Sequence, residues 1–202
     1  MPSYWKDPDR TPITSDEAIR LWAGEAYDLL VRVASRYNKV VGPAELVSRA
    51  QELTGVRTDV PTVEWYPRLL QTVIHRCHAT GEPPLTSLVV NPRDESVGVA
   101  YAEVLKLQGL AGANALAREK HAAAARLDCY LKYASNVPPN ATPQLTSTAR
   151  RAATAPARAR AASGPRTPRA VKPEPVPDKP LNRVCPTCFL ETPLNGECQN
   201  CM

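Results

Sequence analysis

The sequence predicts a mainly α-helical domain with one β-hairpin, followed by a disordered basic linker and a small cysteine-rich unit. Three observations indicate this arrangement. Apolar residues recur at helical spacing in several segments before residue 135, a β-branched run follows a Pro-Pro pair within that region, and two CxxC pairs lie in the last eighteen residues. We therefore expect a flexible arm over 1–13, a folded domain over 14–135, a linker over 136–180 and a cysteine unit over 181–202.

The first two helices carry clear end signals. Thr14 and Glu17 form a capping-box pattern, in which the Thr14 hydroxyl accepts from the Glu17 amide and the Glu17 side chain reaches back. Apolar residues then recur at helical spacing to about Tyr37, so a helix is expected over this span. Pro43 marks the first turn of a second, shorter helix, and Gly55 marks its end.

Two longer helices are expected further along the chain. The third spans 62–80, with Pro67 in its first turns, Cys77 in its apolar stripe and Gly81 after its end. The fourth spans 113–134 and is rich in alanine. Its apolar side is expected to carry Leu116, Leu127, Tyr130 and Leu131.

A hairpin is expected between these two helices. Residues 85–91 form a β-branched run of strand length, 92–96 have the composition of a turn, and 97–101 can return as a second strand. The element order of a winged-helix domain is a helix, then a helix–turn–helix pair, then a hairpin, and the expected elements follow this order. In such domains the second helix of the pair enters the major groove of DNA, and the hairpin, or wing, contacts the backbone or the minor groove. The sequence therefore predicts a winged-helix-like domain.

The polar face of the third helix is the predicted recognition surface. Arginine can contact guanine or phosphate, and glutamine can pair with adenine. The candidate residues are Arg68, Gln71, Thr72, His75 and Arg76. The alternative is an ordinary solvated face opposite the core. The balance of charge leaves that alternative open, because residues 1–135 hold 16 basic and 16 acidic side chains.

Part of the folded domain resembles known proteins. Residues 41–46, 69–70 and 81–91 are similar to uncharacterised actinobacterial and actinophage proteins with a YGELA…GxPPLTxLVV pattern. Through that pattern they distantly resemble the winged-helix half of alkylguanine-DNA alkyltransferases and their alkyltransferase-like relatives. The resemblance covers about 40–101 and implies a DNA-binding fold. The Pro-Cys-His-Arg acceptor motif of alkyltransferases is not matched, since residues 75–78 read His-Arg-Cys-His, so the acceptor chemistry does not carry over.

The basic excess of the chain lies in one segment. Residues 136–180 hold eight basic and two acidic side chains, a net charge of +6, and the whole chain has a net charge of +5. The segment also contains ten prolines. The segment is poor in large apolar side chains and cannot offset about 1–2 kcal/mol of backbone entropy per ordered residue. We expect it either to contact nucleic-acid phosphates without sequence preference or to act only as a soluble spacer. The candidate phosphate contacts are Arg150, Arg151, Arg158, Arg160, Arg166 and Arg169.

The two CxxC pairs near the C-terminus are nine residues apart. Four thiolates in a tetrahedral array suit Zn²⁺ and leave no open position for catalysis, so a structural zinc ribbon is expected. Metal binding must supply most of its folding free energy, typically about 10–16 kcal/mol in peptides. The alternatives are ordinary thiols or two disulfides, which a reducing compartment disfavours. The expected ligands are Cys185, Cys188, Cys198 and Cys201.

The remaining cysteines and the histidines give a weaker signal. Cys77 and Cys129 stand apart from other cysteines and are expected to be buried thiols. A second metal cluster could be formed by His75, Cys77 and His78. However, His75 and His78 lie on one face of the helix and Cys77 lies on another, and the sequence offers no further ligand nearby. We expect Cys77 in the core, these histidines at its rim and His121 on a solvated helix face.

The motifs together favour a non-enzymatic, cytoplasmic DNA-binding or DNA-associated accessory protein. The sequence contains no Ser-His-Asp set, Walker loop or HExxH motif, no apolar run of 18 residues, and no signal-peptide order at its start. One alternative is a protein-interaction adaptor of a phage or host-defence system, with the ribbon holding a second partner. The other is an enzyme acting on nucleic acid, which would require a deep pocket lined by polar residues such as Glu45, Asn91 and Tyr101.

Overall fold

The computed structural model describes residues 3–154, and these form a mainly helical domain. The candidate contacts Arg158, Arg160, Arg166 and Arg169, the C-terminal part of the expected linker and the four expected zinc ligands lie outside the described residues. The elements are β1 (Tyr4–Lys6), β2 (Thr11–Pro12), α1 (Ser15–Ala34), α2 (Pro43–Thr54), β3 (Val56–Thr58), α3 (Thr62–Ala79), α4 (Ala102–Leu107), α5 (Ala115–Tyr133) and α6 (Ser147–Thr154).

Helix α1 begins as its sequence predicts and forms the centre of the core. The Thr14 hydroxyl accepts a hydrogen bond from the Glu17 amide at 3.2 Å. Trp22 is fully buried, its ring centroid lies 4.4 Å from that of Trp65 on α3, and its indole nitrogen donates to the Val56 carbonyl at 3.2 Å. Such large buried side chains contribute roughly 1.5–3 kcal/mol each to stability. They fix α1, α3 and β3 against one another.

The ends of α2 and α3 also agree with the sequence. Pro43 occupies the first turn of α2, and Gly55 follows its end with a φ of 65°, in the left-handed region that glycine adopts without strain. Pro67 lies inside α3, and Gly81 follows that helix with the same φ of 65°. Cys77 is buried on the apolar side of α3, as expected.

The N-terminal segment expected to be a flexible arm instead forms two strands. β1 lies between β2 and β3 in a three-stranded antiparallel sheet, with Trp5 opposite Arg57. The Asp7 amide donates to the Gly55 carbonyl at 2.8 Å, and Arg57 contacts the Asp7 carboxylate at 3.1 Å. The strands have only two or three residues each, and β3 lies some fifty residues away from β1 in sequence. No local pattern could therefore indicate this pairing.

The predicted hairpin is also replaced by a different structure. Residues Leu85–Leu88 form a buried 3₁₀ turn, and Val99–Tyr101 form a second 3₁₀ turn that leads into α4, a helix the sequence did not predict. The turn over 92–96 is present, but the flanking residues share only the bridge between Val90 and Val97. Within the described residues, no wing of two paired strands forms here. A short buried apolar run does not distinguish a strand from a packed turn, which explains the error.

Helix α5 lies where expected, over Ala115–Tyr133 against a predicted 113–134, and Tyr130 is buried as predicted. The rest of its buried side carries alanines together with Glu119, Arg126 and Cys129, whereas Leu131 is 60% exposed. The folded region also extends beyond residue 135, since α6 packs on α5 and buries Ala149. The expected linker boundary is thereby corrected for 136–154. In residues 3–154 there is no helix long and apolar enough to cross a membrane.

Candidate functional site

All five predicted recognition residues are exposed on one helix, α3. They are Arg68, Gln71, Thr72, His75 and Arg76. Arg68 contacts the Asp16 carboxylate of α1 at 2.7 Å, and the Thr72 hydroxyl donates back to the Arg68 carbonyl at 2.9 Å. The helix therefore brings the predicted residues together, but the first arginine already has an acidic partner from α1.

The other two basic groups of this face also contact neighbouring elements. His75 Nε2 lies 3.6 Å from Glu103 Oε1 of α4, and the Arg76 guanidinium stacks 3.6 Å from the ring centroid of Tyr27 on α1. Exposed ion pairs contribute only about 0–1 kcal/mol each, so they do not lock the side chains. They do place carboxylates beside Arg68 and His75, which lowers the positive potential that DNA phosphates would meet.

A second polar cluster, which no pattern in the sequence predicts, lies where α1, α3 and α5 converge. The Glu82 carboxylate accepts hydrogen bonds from Tyr27 at 2.6 Å and Tyr133 at 3.0 Å, and from Lys132 at 3.1 Å. These contacts, above all the one from Tyr27, lower the pKa of Glu82 to about 2. The carboxylate stays ionised and holds Tyr27 in place beneath Arg76.

The basic residues of α6 have a different environment. Arg150 and Arg151 are both exposed on this helix. Arg150 donates to the Leu145 carbonyl at 3.4 Å, a neutral partner that leaves its charge uncompensated by that contact. The first two arginines of the basic segment are thus adjacent and exposed on α6.

No metal centre is found in the described part of the chain. Among residues 3–154 no three His, Cys, Asp or Glu side chains lie close enough together to hold a metal ion. Cys77 and Cys129 are free and buried, as expected. Burial raises the pKa of Cys129 to about 12 and also raises the pKa of Cys77, so neither thiol is a nucleophile near neutral pH.

His121 is half-buried and hydrogen-bonded, which corrects the expectation of a solvated histidine. Its Nε2 lies 2.6 Å from Gln108 Oε1, and its Nδ1 lies 3.0 Å from the Tyr101 hydroxyl. Because the amide oxygen only accepts, Nε2 carries the proton and Nδ1 accepts from Tyr101. Burial lowers the pKa of His121, so the ring is neutral and joins α4 to α5.

Two cavities of this domain are large enough to consider as candidate sites. One, of about 280 Å³, lies beside Arg126 and is lined also by Tyr37, Tyr130 and Gln144. The other, of about 350 Å³, lies between α3 and the 86–101 segment. Asn91 and Tyr101 line the second cavity, but Glu45 is not in its described lining, which contains no carboxylate, imidazole or thiol. The second cavity therefore contains two of the three polar residues that the enzyme alternative names, and it lacks the carboxylate.

The chain was compared with protein-family models, with curated proteins and with solved structures, and it matches none of them. Its function must be argued from its own residues.

Proposed function

We propose that this protein is a non-enzymatic, cytoplasmic DNA-associated accessory protein whose basic segment, 136–180, binds the phosphate backbone. The segregation of charge carries this proposal: the segment has eight basic and two acidic side chains, whereas residues 1–135 are neutral overall. Cationic side chains release counterions when they contact phosphates, which gives affinity without sequence preference. Residues 40–101 resemble actinobacterial and actinophage proteins and, through them, a DNA-binding fold. This resemblance also motivates the proposal.

The distribution of ion pairs supports the basic segment over α3 as the main contact. Arg68 and His75 lie beside Asp16 and Glu103, so phosphates approaching α3 also meet carboxylates. Arg150 and Arg151 on α6 are exposed, and the residues that follow add further arginines. We therefore assign α3 a secondary role, in which Gln71 and its neighbours adjust the contact once the basic segment has bound.

A Cys₄ zinc ribbon over 181–202 completes the proposal. The donor set Cys185, Cys188, Cys198 and Cys201 consists of four soft ligands in two CxxC pairs, which fits structural Zn²⁺. When bound, the metal supplies a folded module and no chemistry. That module would hold a second partner, either a protein or a neighbouring stretch of DNA.

The experiment is a titration of the full-length protein with fluorescent duplex DNA at about 50 and 200 mM salt. We expect binding at low salt that weakens by an order of magnitude or more at high salt, since each phosphate contact adds about 0.9 to the slope. Replacing Arg150, Arg151, Arg158 and Arg160 together with glutamine should weaken binding at least about tenfold and flatten the salt dependence. No binding at low salt would refute the proposal.

The matched control is a triple variant of α3, with Arg68→Gln, Gln71→Ala and Arg76→Gln. We expect its affinity to stay within about twofold of the parent because these side chains carry little of the phosphate contact. If this variant loses binding and the linker variant keeps it, α3 is the main DNA contact and the assignment to the basic segment is wrong.

The neutral surface of residues 1–135 also favours a second candidate, a protein-interaction adaptor. The Arg68–Asp16 ion pair and the carboxylate of Glu103 beside His75 suit a protein partner better than a polyanion. A pull-down from the native host, with and without nuclease, separates the two. Stoichiometric protein partners that survive nuclease would support the adaptor.

A further inference from the structure

The cavity beside Arg126 is distinguished by a buried cation in its lining. It has a volume of about 280 Å³, and α5 and the 142–146 segment both contribute to its walls. Arg126 as a whole is only 7% exposed. Its Nη2 faces the Gln144 carbonyl, and Gln144 lines the same cavity, so the guanidinium lies at the cavity wall. A molecule in this cavity therefore lies next to a positively charged donor group.

The guanidinium of Arg126 makes only long hydrogen bonds. It carries five N–H donors in a planar fork. Among the described residues it donates to the carbonyls of Ser87 at 3.4 Å and Gln144 at 3.5 Å, beyond the usual 2.7–3.2 Å, and the Glu119 carboxylate lies 3.7 Å away. Nearly all buried polar groups in proteins are hydrogen-bonded. The remaining donors of Arg126 therefore favour a ligand that brings two neighbouring acceptor atoms.

An aromatic face and a carboxylate also line this cavity. The rings of Tyr37 and Tyr130 lie edge to face, with centroids 5.5 Å apart, so a flat ligand can stack on one of them. Glu95 lies in the lining as well, and its carboxylate only accepts hydrogen bonds. Unpaired nucleic-acid bases are bound in this way, by stacking on aromatic rings and by hydrogen bonds to their edges.

A second arginine lies at the edge of the cavity. Arg150 of α6 is exposed, and its Nη2 donates at 3.4 Å to the carbonyl of Leu145, a residue of the cavity lining. Arginine binds phosphate through the same planar fork with which it binds carboxylates. A base inside the cavity could therefore carry a phosphate that meets Arg150 outside it.

We propose that this cavity binds the base of a guanine nucleotide. Arg126 donates to O6 and N7, Glu95 accepts from N1 and the 2-amino group, and Arg150 contacts the phosphate. Arginine pairs with O6 and N7 of guanine more often than with any other base edge, whereas adenine has an amino group in place of O6. An apolar cavity of about 150 Å³ takes benzene, so one of about 280 Å³ admits a two-ring base. Only the Arg150 contact is shared with the proposed binding of DNA phosphates.

The test is isothermal titration calorimetry of the full-length protein with GMP, AMP and guanosine. We expect GMP to bind at least about tenfold more tightly than AMP, because guanine offers two acceptors to Arg126 and two donors to Glu95. Guanosine lacks the phosphate and should bind about fivefold more weakly than GMP. If GMP does not bind, or if GMP and AMP bind equally, the proposal is overturned.

Two substitutions of the cavity lining locate the base. Glu95→Gln keeps the size of the side chain but turns a donor towards the guanine edge, so it should weaken GMP about tenfold and leave AMP unchanged. Arg126→Lys keeps the positive charge beside Glu119 and removes the fork, so it should remove most of the preference for GMP. Glu45→Gln, at an exposed position outside the lining, should change neither affinity. Unchanged GMP binding in Glu95→Gln would overturn the proposal, and that variant decides if Arg126→Lys does not fold.

A matched pair of α6 variants tests the phosphate contact. Arg150→Gln should bring the affinity for GMP down to that for guanosine. Arg151→Gln changes the neighbouring arginine and should leave GMP within about twofold of the parent. Equal losses in the two variants would show a general effect of charge and overturn the assignment to Arg150.

Two oligothymidine strands, with and without one central guanine, identify the source of the base. If the strand with guanine binds more tightly than both GMP and the plain strand, the ligand is an unpaired guanine in a single strand. If it binds no more tightly than GMP, the ligand is a free nucleotide. Glu95→Gln should leave the binding of duplex DNA unchanged, because a paired base cannot enter the cavity. The duplex titration therefore succeeds or fails independently of this test.

Discussion

Glu119 and Arg126 lie two turns apart on the buried side of α5 and form an ion pair in which Oε2 and Nη2 are separated by 3.7 Å. Their side chains are 6% and 8% exposed. Glu119 also accepts from the Val97 amide at 2.6 Å, and Arg126 donates to the carbonyls of Ser87 at 3.4 Å and Gln144 at 3.5 Å. The pair therefore ties α5 to three irregular segments.

Removing one partner of this pair should cost much more than removing both. Arg126→Met leaves a buried carboxylate without its cation, and we expect the free energy of unfolding to fall by about 3–5 kcal/mol. In Arg126→Met/Glu119→Gln the buried charge is gone and the amide oxygen can still accept from Val97, so the loss should be smaller. Urea unfolding of the two variants measures this, and a double variant less stable than the single one would contradict it.

The same pair explains why the buried face of α5 could be predicted only in part from sequence. Leu116, Leu127, Tyr130 and Leu131 indicated an apolar side, and Tyr130 is buried, but Leu131 is exposed. The buried side of α5 is mostly alanine, and the charges of Glu119 and Arg126 lie on it 3.7 Å apart, so each partly compensates the other. Their backbone partners lie 18 to 39 residues away in sequence.

Local signals elsewhere predicted the fold well. The cap at Thr14, the first turn at Pro43 and the left-handed glycine at 55 each depend on a few neighbouring residues, and all three are confirmed. The exposure of the α3 face also followed from helical spacing. Its acidic and aromatic neighbours come from α1 and α4, so only the tertiary structure could show that Arg68 and Arg76 already have partners.

The hydrogen bonds to Glu82 predict a stability that depends on pH. Its pKa is about 2 in the folded protein against 4.5 ordinarily, so its contribution is fully present above pH 4.5 and is lost as the pH falls towards 2. We expect this loss to be roughly 1–3 kcal/mol. Urea unfolding of the parent and of Glu82→Gln at pH 6 and pH 3 measures it. The variant should lose less stability than the parent between these pH values.

A control for this prediction is Glu64→Gln, at an exposed position in the first turn of α3. It should keep the pH dependence of the parent. Tyr27→Phe should weaken that dependence, because the Tyr27 hydroxyl makes the strongest contribution to the low pKa of Glu82. An unchanged dependence in both Tyr27→Phe and Glu82→Gln would contradict the assignment.

Removing the hydroxyl of Tyr66, which is buried without a hydrogen-bond partner among the described residues, should not destabilise the protein. Tyr66→Phe removes a buried hydroxyl that has no protein partner among the described residues, so stability should stay constant or rise by about 1 kcal/mol. Tyr130→Phe is the matched comparison, because that hydroxyl donates to the Lys39 carbonyl at 2.7 Å. It should cost about 1 kcal/mol. Equal losses in the two variants, measured by thermal unfolding, would refute the difference.

The six cysteines of the chain predict a stepwise reactivity towards a thiol reagent. Cys77 and Cys129 are buried with raised pKa values, and the other four are proposed zinc ligands. The native, zinc-loaded protein should therefore react slowly at all six positions. A chelator should expose four thiols while the helical domain stays folded, and denaturant should then expose the last two. Four fast thiols without chelator would exclude the zinc site, and only two thiols in denaturant without reductant would indicate two disulfides instead.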